Sequence, residues 1–254
     1  MPGYLPKPPV CILNRAHPLA RGLVAAWPFD EGGGGKTVRD AVGSNHGTAQ
    51  AYNKWTGGAF GHCMAFNGTN DYVSVADSAS LDGMANITIA FWGKASTFSD
   101  NAYPVGKRAS YEFLANGGKL KAGVNSGNWV YATTATSITT GVWFHATVTY
   151  DGSNVKIYYN GSLEDTQPQS GLVANNTNPL GLGFLLNPAV EGYQFNGSID
   201  DVRIYNRALS AAEVAAVYAD PWAIYRPLRD WLKVALMGAW WHRNMIRDRR
   251  SGVR

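Results

Sequence analysis

Only two cysteines, Cys11 and Cys63, occur in the 254 residues, too few for a disulfide framework to carry the fold. Cys63 lies in the apolar run GHCMAF and reads as a small buried hydrophobe. No HExxH, GxSxG or Walker A sequence is present, which removes the commonest zinc-hydrolase, serine-hydrolase and nucleotide-binding readings. The glutamates are Glu31, Glu112, Glu164, Glu191 and Glu213, and none has a second carboxylate two residues away on a strand. Glu164 and Asp165 are adjacent, so a strand would point them to opposite faces. A spanning segment is missing too. The eleven-residue apolar run Trp231–Trp241, broken by Lys233, falls short of the roughly 20 residues a bilayer requires. The opening MPGYLPKPPV has neither the charged start nor the apolar core of a signal peptide, so a cytosolic origin is the expectation.

What is abundant is turn chemistry and aromatic surface. Glycine (29), proline (12) and 12% aromatics, against 16% charged residues, suit a turn-rich all-β protein. The net charge of +4 is uneven: residues 226–254 carry +6, leaving −2 on the other 225. Period-two alternation predicts strands at 62–66, 71–76, 86–95, 102–107, 110–115, 119–124, 128–132, 142–150, 154–160 and 179–185. Asp151–Asn154 and Asn160-Gly161 read as tight hairpin turns. Ser210 with Glu213 three residues later is a capping box, which predicts a helix over Ala211–Tyr218 stopped by Pro221. Prolines 2, 6, 8, 9 and 18 make residues 1–21 an extended arm, residues 22–220 the domain, and residues 221–254 a basic, Trp-rich tail with a helix near 228–247.

Two ends match. GLVAAWPFDEG (Gly22–Gly32) and FNGSIDDVRIYNRALSAAEV (Phe195–Val214) read as a first and a last strand that pair, each with acids near one end. Together with AFNGTNDYVSV and GVWFHATVTYDGSNVKIYYNGSL, in this order, they resemble the laminin-G-like branch of the concanavalin A-like lectin/glucanase superfamily over about Gly22–Tyr218. That resemblance implies an all-β, two-sheet antiparallel jelly-roll sandwich, usually a binding module, here with a short capped helix and a C-terminal helical tail. It also implies one structural Ca2+ joining the first strand to the last, held by Asp30, Asp200 and the carbonyl of Gly32. The alternative reading of these acids is that they cap turns. Alternation sends Asp201 to the face opposite Asp200. Ligand capture through calcium of the pentraxin type is not expected, because Leu182–Asn187 carries no carboxylate. The paired carboxylates of the superfamily's retaining glycosidases are missing, so the chain is not read as an enzyme.

Sugar rings stack on exposed aromatics with polar neighbours. Trp129, flanked by Asn125, Asn128 and Tyr131, is the leading candidate for a glycan site, with Trp55 as a further platform. Trp27, Trp92 and Trp143 read as core. In the tail, Trp231, Trp240, Trp241, Arg243, Arg247, Arg249 and Arg250 form an amphipathic, basic docking element. Its partners could be another protein, a second copy of the chain or an anionic membrane, with nucleic acid the weaker option. LNRAHPLARGLVAAW at the start and the Trp/Arg-rich end also resemble proteins encoded among tailed-phage structural genes. This implies a virion location, as a capsid decoration or head/tail-surface subunit whose arms dock on neighbouring subunits and whose sandwich touches host glycans. A secreted or surface adhesive lectin is the alternative, and a polysaccharide-active enzyme the weaker one.

Overall fold

The computed structural model describes residues 7, 11–33, 35–50, 54–186 and 193–225. Among them are β1 (Leu23–Trp27), β2 (Thr37–Val38), β3 (Gly47–Gln50), β4 (Lys54–Gly57), β5 (His62–Asn67), β6 (Tyr72–Val75), β7 (Ile87–Ala95) and β8 (Val105–Lys107). There follow β9 (Tyr111–Asn116), β10 (Lys119–Asn125), β11 (Trp129–Thr133), β12 (Phe144–Tyr150), β13 (Asn154–Tyr159), β14 (Ser162–Pro168), β15 (Leu180–Leu182), β16 (Asn196–Tyr205) and the helix α1 (Ala211–Ala219). Sheet A runs β14-β13-β12-β7-β16-β5-β4, with β1 also on β16; sheet B runs β11-β10-β9-β8-β15-β6-β3-β2. All these ladders are antiparallel. This is the two-sheet sandwich the sequence predicts.

The main core lies between the sheets, where alternate residues of both meet: Ile87, Ile89 and Phe91 from β7, Tyr111 and Phe113 from β9, Val148 and Tyr150 from β12. Each such side chain contributes about 1.5–3 kcal/mol on leaving water. Trp27 is fully buried there, with Nε1 donating to Asn45 O at 2.8 Å. The turns are as expected. Asp151 Oδ1 accepts the Ser153 and Asn154 amides, and Asn160 and Gly161 take φ +49° and +81° between β13 and β14. Both halves of the Ser210–Glu213 capping box form.

A second cluster covers the outer face of sheet A. Cys11, Leu19, Phe60, Trp92, Tyr205, Val214, Val217, Trp222 and Tyr225 pack there, bringing together both terminal segments and α1. Asn14 N donates to Ile224 O at 2.7 Å, tying one end of the chain to the other. The segment read as an arm is therefore, over residues 11–21, packed on its own domain, and so are residues 221–225. This also explains why β7 is buried on both faces: Trp92 stacks on Tyr218 of α1 (5.5 Å, 22°). Trp143, expected in the core, is half-buried at the margin of this cluster, with Lys94 Nζ 5.4 Å from its ring.

The ten-residue β16 changes partner midway. Residues Asn196–Ile199 pair with β5 and Val202–Tyr205 with β1, as the matching ends predict. Between them the ladder to β7 slips between Asp200 and Arg203, and Asp201 takes φ +48°. A non-glycine residue in that left-handed region costs on the order of 1–2 kcal/mol. The bulge also breaks simple alternation, and Asp200 and Asp201 are both buried in a strand covered on both faces.

Candidate functional site

Two groups of candidate residues end up on opposite outer faces. On sheet B, β9, β10 and β11 are adjacent, and the register puts Tyr131 opposite Gly123 and Gly123 opposite Glu112. Residues directly opposite share a face, so these three form one row. Gly123 has no side chain, and the Tyr131 ring lies over its backbone. A Cβ there would stand 2.5 Å from the ring and 3.2 Å from Trp129 Cε3. Trp129, two residues along β11, is on the same face and stacks on Tyr131, with centroids 5.4 Å apart and planes 13° from parallel. Both rings are partly exposed at the surface of the sheet.

Tyr131 Oη donates to Glu112 Oε1 at 2.6 Å. Glu112 is 4% exposed, and burial pushes its carboxyl above the usual range while the Tyr131 bond opposes that rise. Burial, and then the bond to Glu112, push the Tyr131 phenol up as well. Tyr103 is pushed up to about 12 by burial, then by the charges of Glu112 and Tyr193, and its ring meets Tyr193 edge-on at 5.8 Å. Farther along the row, Gly106 and Gly181 lie under the 184–185 segment. A Cβ on Gly106 would come within 2.8 Å of Leu185 Cδ1, and one on Gly181 would strike the Phe184 carbonyl. The chain covers that part of the face itself and leaves the Trp129–Tyr131–Glu112 corner open.

The structure brings some expected glycan residues together and separates others. Trp129 and Tyr131 share the platform. Asn128 is exposed in the turn before β11, and its carbonyl accepts Gln169 Nε2 at 2.9 Å. Asn125 pairs with Trp129 across the ladder, but its amide is tied to Ala109 O and its Oδ1 to Gly127 N. Trp55 belongs to β4 in sheet A and packs edge-on against Phe29 at 6.3 Å, so it is no part of this surface. Glu112 and Gly123 were not singled out in the sequence. The available signal was a lone glutamate inside the apolar strand YEFLAN.

Where β16 changes partner, the acids expected at a cation do not meet. Asp200 Oδ1 lies 2.9 Å from Lys7 Nζ, and Phe29 O (3.1 Å), His62 O (2.9 Å) and Pro28 O also surround this ammonium, which shares its three N–H donors among the four oxygens. Burial pushes the Asp200 carboxyl up to about 7, with Lys7 opposing the rise and Asp201 adding to it. Asp30 Oδ2 instead accepts the Cys11 amide at 2.7 Å, and Gly32, at φ +69°, lies against the His62 ring. Asp201 forms a two-point pair with Arg203 (Nε–Oδ1 2.9 Å, Nη2–Oδ2 2.7 Å), both at most 2% exposed, and Arg203 also reaches Pro221 O. Among the described residues no group of three or more His, Cys, Asp or Glu side chains is placed to hold a metal.

A cleft of about 630 Å³ opens between the N-terminal segment and the loop after β1, lined by Cys11, Pro28, Asp30, Glu31, Arg39 and Asp40 among others. Asp40 accepts the amides of Ala26, Val42, Gly43 and Asn45, and Glu31 Oε1 accepts Arg39 N at 2.5 Å, while the buried Glu31 Oε2 meets no hydrogen-bond donor among the described residues. The aromatic corner of sheet B, although shallower, has the chemistry to take a ligand. His46 and His145 are framework groups. His46 Nδ1 accepts the Asp40 amide, and His145 is buried between Trp92 and Tyr218 and held neutral. Trp231, Trp240, Trp241, Arg243, Arg247, Arg249 and Arg250 lie outside the described residues, as does the helix expected near 228–247.

A family profile described as the concanavalin A-like lectin/glucanases superfamily matches residues 67–215. No curated protein matches the chain. Domain 4 of AbnA, a GH43 extracellular arabinanase from Geobacillus stearothermophilus solved in complex with arabinotriose, superposes with a TM-score of 0.65 at 22% identity. That match covers 78% of this chain and 98% of that one. The binding domain of Paraclostridial mosquitocidal protein 1 gives 0.65 at 19%, covering 79% and 52%. The binding domain of botulinum neurotoxin DC in complex with SialylT gives 0.60 at 15%, covering 79% and 52%. The chain thus spans about half the length of these toxin binding domains, and at such identities the likeness is one of fold.

Proposed function

Since the chain belongs to the concanavalin A-like lectin/glucanases superfamily, we propose that it is a non-enzymatic glycan-binding domain whose ligand lies on the Trp129–Tyr131 platform beside Glu112. The observation that carries this reading is the near-parallel pair of partly exposed rings next to a buried carboxylate that accepts the Tyr131 phenol. The apolar face of a pyranose stacks on the rings, and a ring hydroxyl donates to Glu112. Glycan ligands in the arabinanase domain and in one toxin domain of this fold support a saccharide as the ligand class. Catalysis is not part of the proposal.

A second element of the proposal is display on a virion surface. The chain reaches Tyr225 on the outer face of sheet A, opposite the platform, and continues from there into the basic, Trp-rich residues 226–254. With Tyr225 on one face and the platform on the other, anchoring through residues 226–254 would present the ligand surface outward. The anchor partners proposed are other virion proteins or further copies of the chain, with host surface glycans on the outward side. The experiment is a glycan array probed with the full chain and with a 1–225 truncation, alongside light scattering of both. Equal array profiles with oligomers formed only by the full chain are the expected outcome. A blank array would overturn the glycan reading, and two identical monomers would overturn the anchor reading.

A further inference from the structure

The point where β16 passes from β5 to β1 leaves backbone and side-chain oxygens facing one another instead of a ladder. Pro28 O and Phe29 O come from the end of β1, His62 O from the start of β5, and Asp200 Oδ1 from β16 itself. Into their midst comes a single ammonium, that of Lys7, whose side chain is 4% exposed beside an Asp200 side chain at 0%. The Lys7 stem lies over Gly61 in the β4–β5 turn, where a Cβ would meet its Cδ at 3.4 Å. The Trp222 ring closes another side, its centroid 4.9 Å from Nζ. Asp200 Oδ2, fully buried, meets no hydrogen-bond donor among the described residues.

Three neutral carbonyls and one carboxylate are the hard oxygen donors of a cation site, not of an ordinary surface ion pair. The charges balance as they stand. The cage contributes at most one negative charge, Asp201 is committed to Arg203, and the ammonium supplies one positive charge. We propose that Lys7 is the resident cation of this fold, a tethered ammonium in the place where the sequence led us to expect calcium bound by Asp30 and Asp200. In that role it latches the N-terminal segment across the β1–β16–β5 junction and keeps divalent metal out. Removing the ammonium uncovers five oxygens, counting Asp200 Oδ2, and turns the cage into a site for a calcium-sized ion completed by water.

The test compares wild type with Lys7→Met, which keeps most of the stem and removes the charge. Melting temperature is read in EDTA and in millimolar calcium chloride, and terbium luminescence sensitised through Trp222 reads metal entry directly. Wild type should melt at one temperature in both buffers and give no terbium signal. Lys7→Met should melt lower in EDTA, recover in calcium and light up with terbium. Calcium stabilisation and terbium signal in wild type, or a variant that ignores both ions, would overturn the proposal. Should Lys7→Met fail to fold, amine acylation of wild type decides. Lys7 should be protected in the native protein and react on denaturation, whereas the exposed Lys36 reacts in both states. Equal native rates for the two lysines would refute the buried ammonium.

Discussion

On the outer face of sheet A, Asp200, Asp201 and Arg203 are each at most 2% exposed and each meets a partner supplied by the chain: Lys7, Arg203 and Asp201. On the outer face of sheet B, Glu112 is nearly as buried, at 4%, yet takes one phenol and borders two partly exposed rings. The first face is closed by the terminal segments and α1, which bury its charges among their own partners. On the second, the 184–185 segment lies over Gly106 and Gly181, and Trp129 and Tyr131 stay partly exposed. What separates a structural polar cluster from a candidate ligand surface here is less the amount of buried charge than whether the terminal segments and α1 cover it.

The largest effect should come from breaking the closed face. Arg203→Met leaves Asp201 buried without its partner and should cost about 3–5 kcal/mol in urea unfolding. It should leave ligand affinity on sheet B unchanged in whatever folded fraction remains.

The pH dependence of the same face sharpens the contrast. Asp200, raised from 3.8 to about 7, holds its proton more tightly in the folded state than in the unfolded one. Its contribution is therefore full below 3.8 and is lost as pH rises towards 7. His145 gives the opposite slope. Burial lowers it from 6.5 to about 3, so stability is lost as pH falls below 6.5. In Asp200→Asn the first slope disappears and the second remains. Stability of the variant relative to wild type should therefore climb from about pH 4 to 7, a trend that denaturant titrations at several pH values would reveal.

On the open face, Trp129→Ala should leave the melting temperature almost unmoved while weakening glycan affinity by about 2 kcal/mol, roughly thirty-fold. The smallest effect is local to α1. Ser210→Ala removes the side chain that accepts the Glu213 amide and should cost about 1 kcal/mol, without effect on ligand.

Much of the fold was legible because its signals are local. The alternating strands, the Asn160-Gly161 turn and the Ser210 capping box need only neighbours in sequence, and the pairing of the two matching ends followed from their place in the order. β14 (SLEDTQP) went unread because it is an edge strand, partly or wholly exposed along its length and without an apolar face. β2 and β3 are two and four residues long, too short for a period to show. At the sites, Trp129 and Tyr131 were legible as aromatics among asparagines. Glu112 was not, because its partner Tyr131 is 19 residues away and the two meet only across β10. Lys7 was hidden in a proline-rich segment, and its oxygens come from three separate places in the chain. Trp55 looked like a platform in sequence, yet it is packed on the core of the other sheet.

The most direct measurement is an isothermal titration of the strongest glycan-array ligand into wild type, Trp129→Ala and Glu112→Gln. Saturable binding to wild type, weakened roughly thirty-fold without Trp129 and weakened again without the Glu112 charge, is the predicted result. Undiminished binding to both variants would place the ligand elsewhere and contradict the account of the open face.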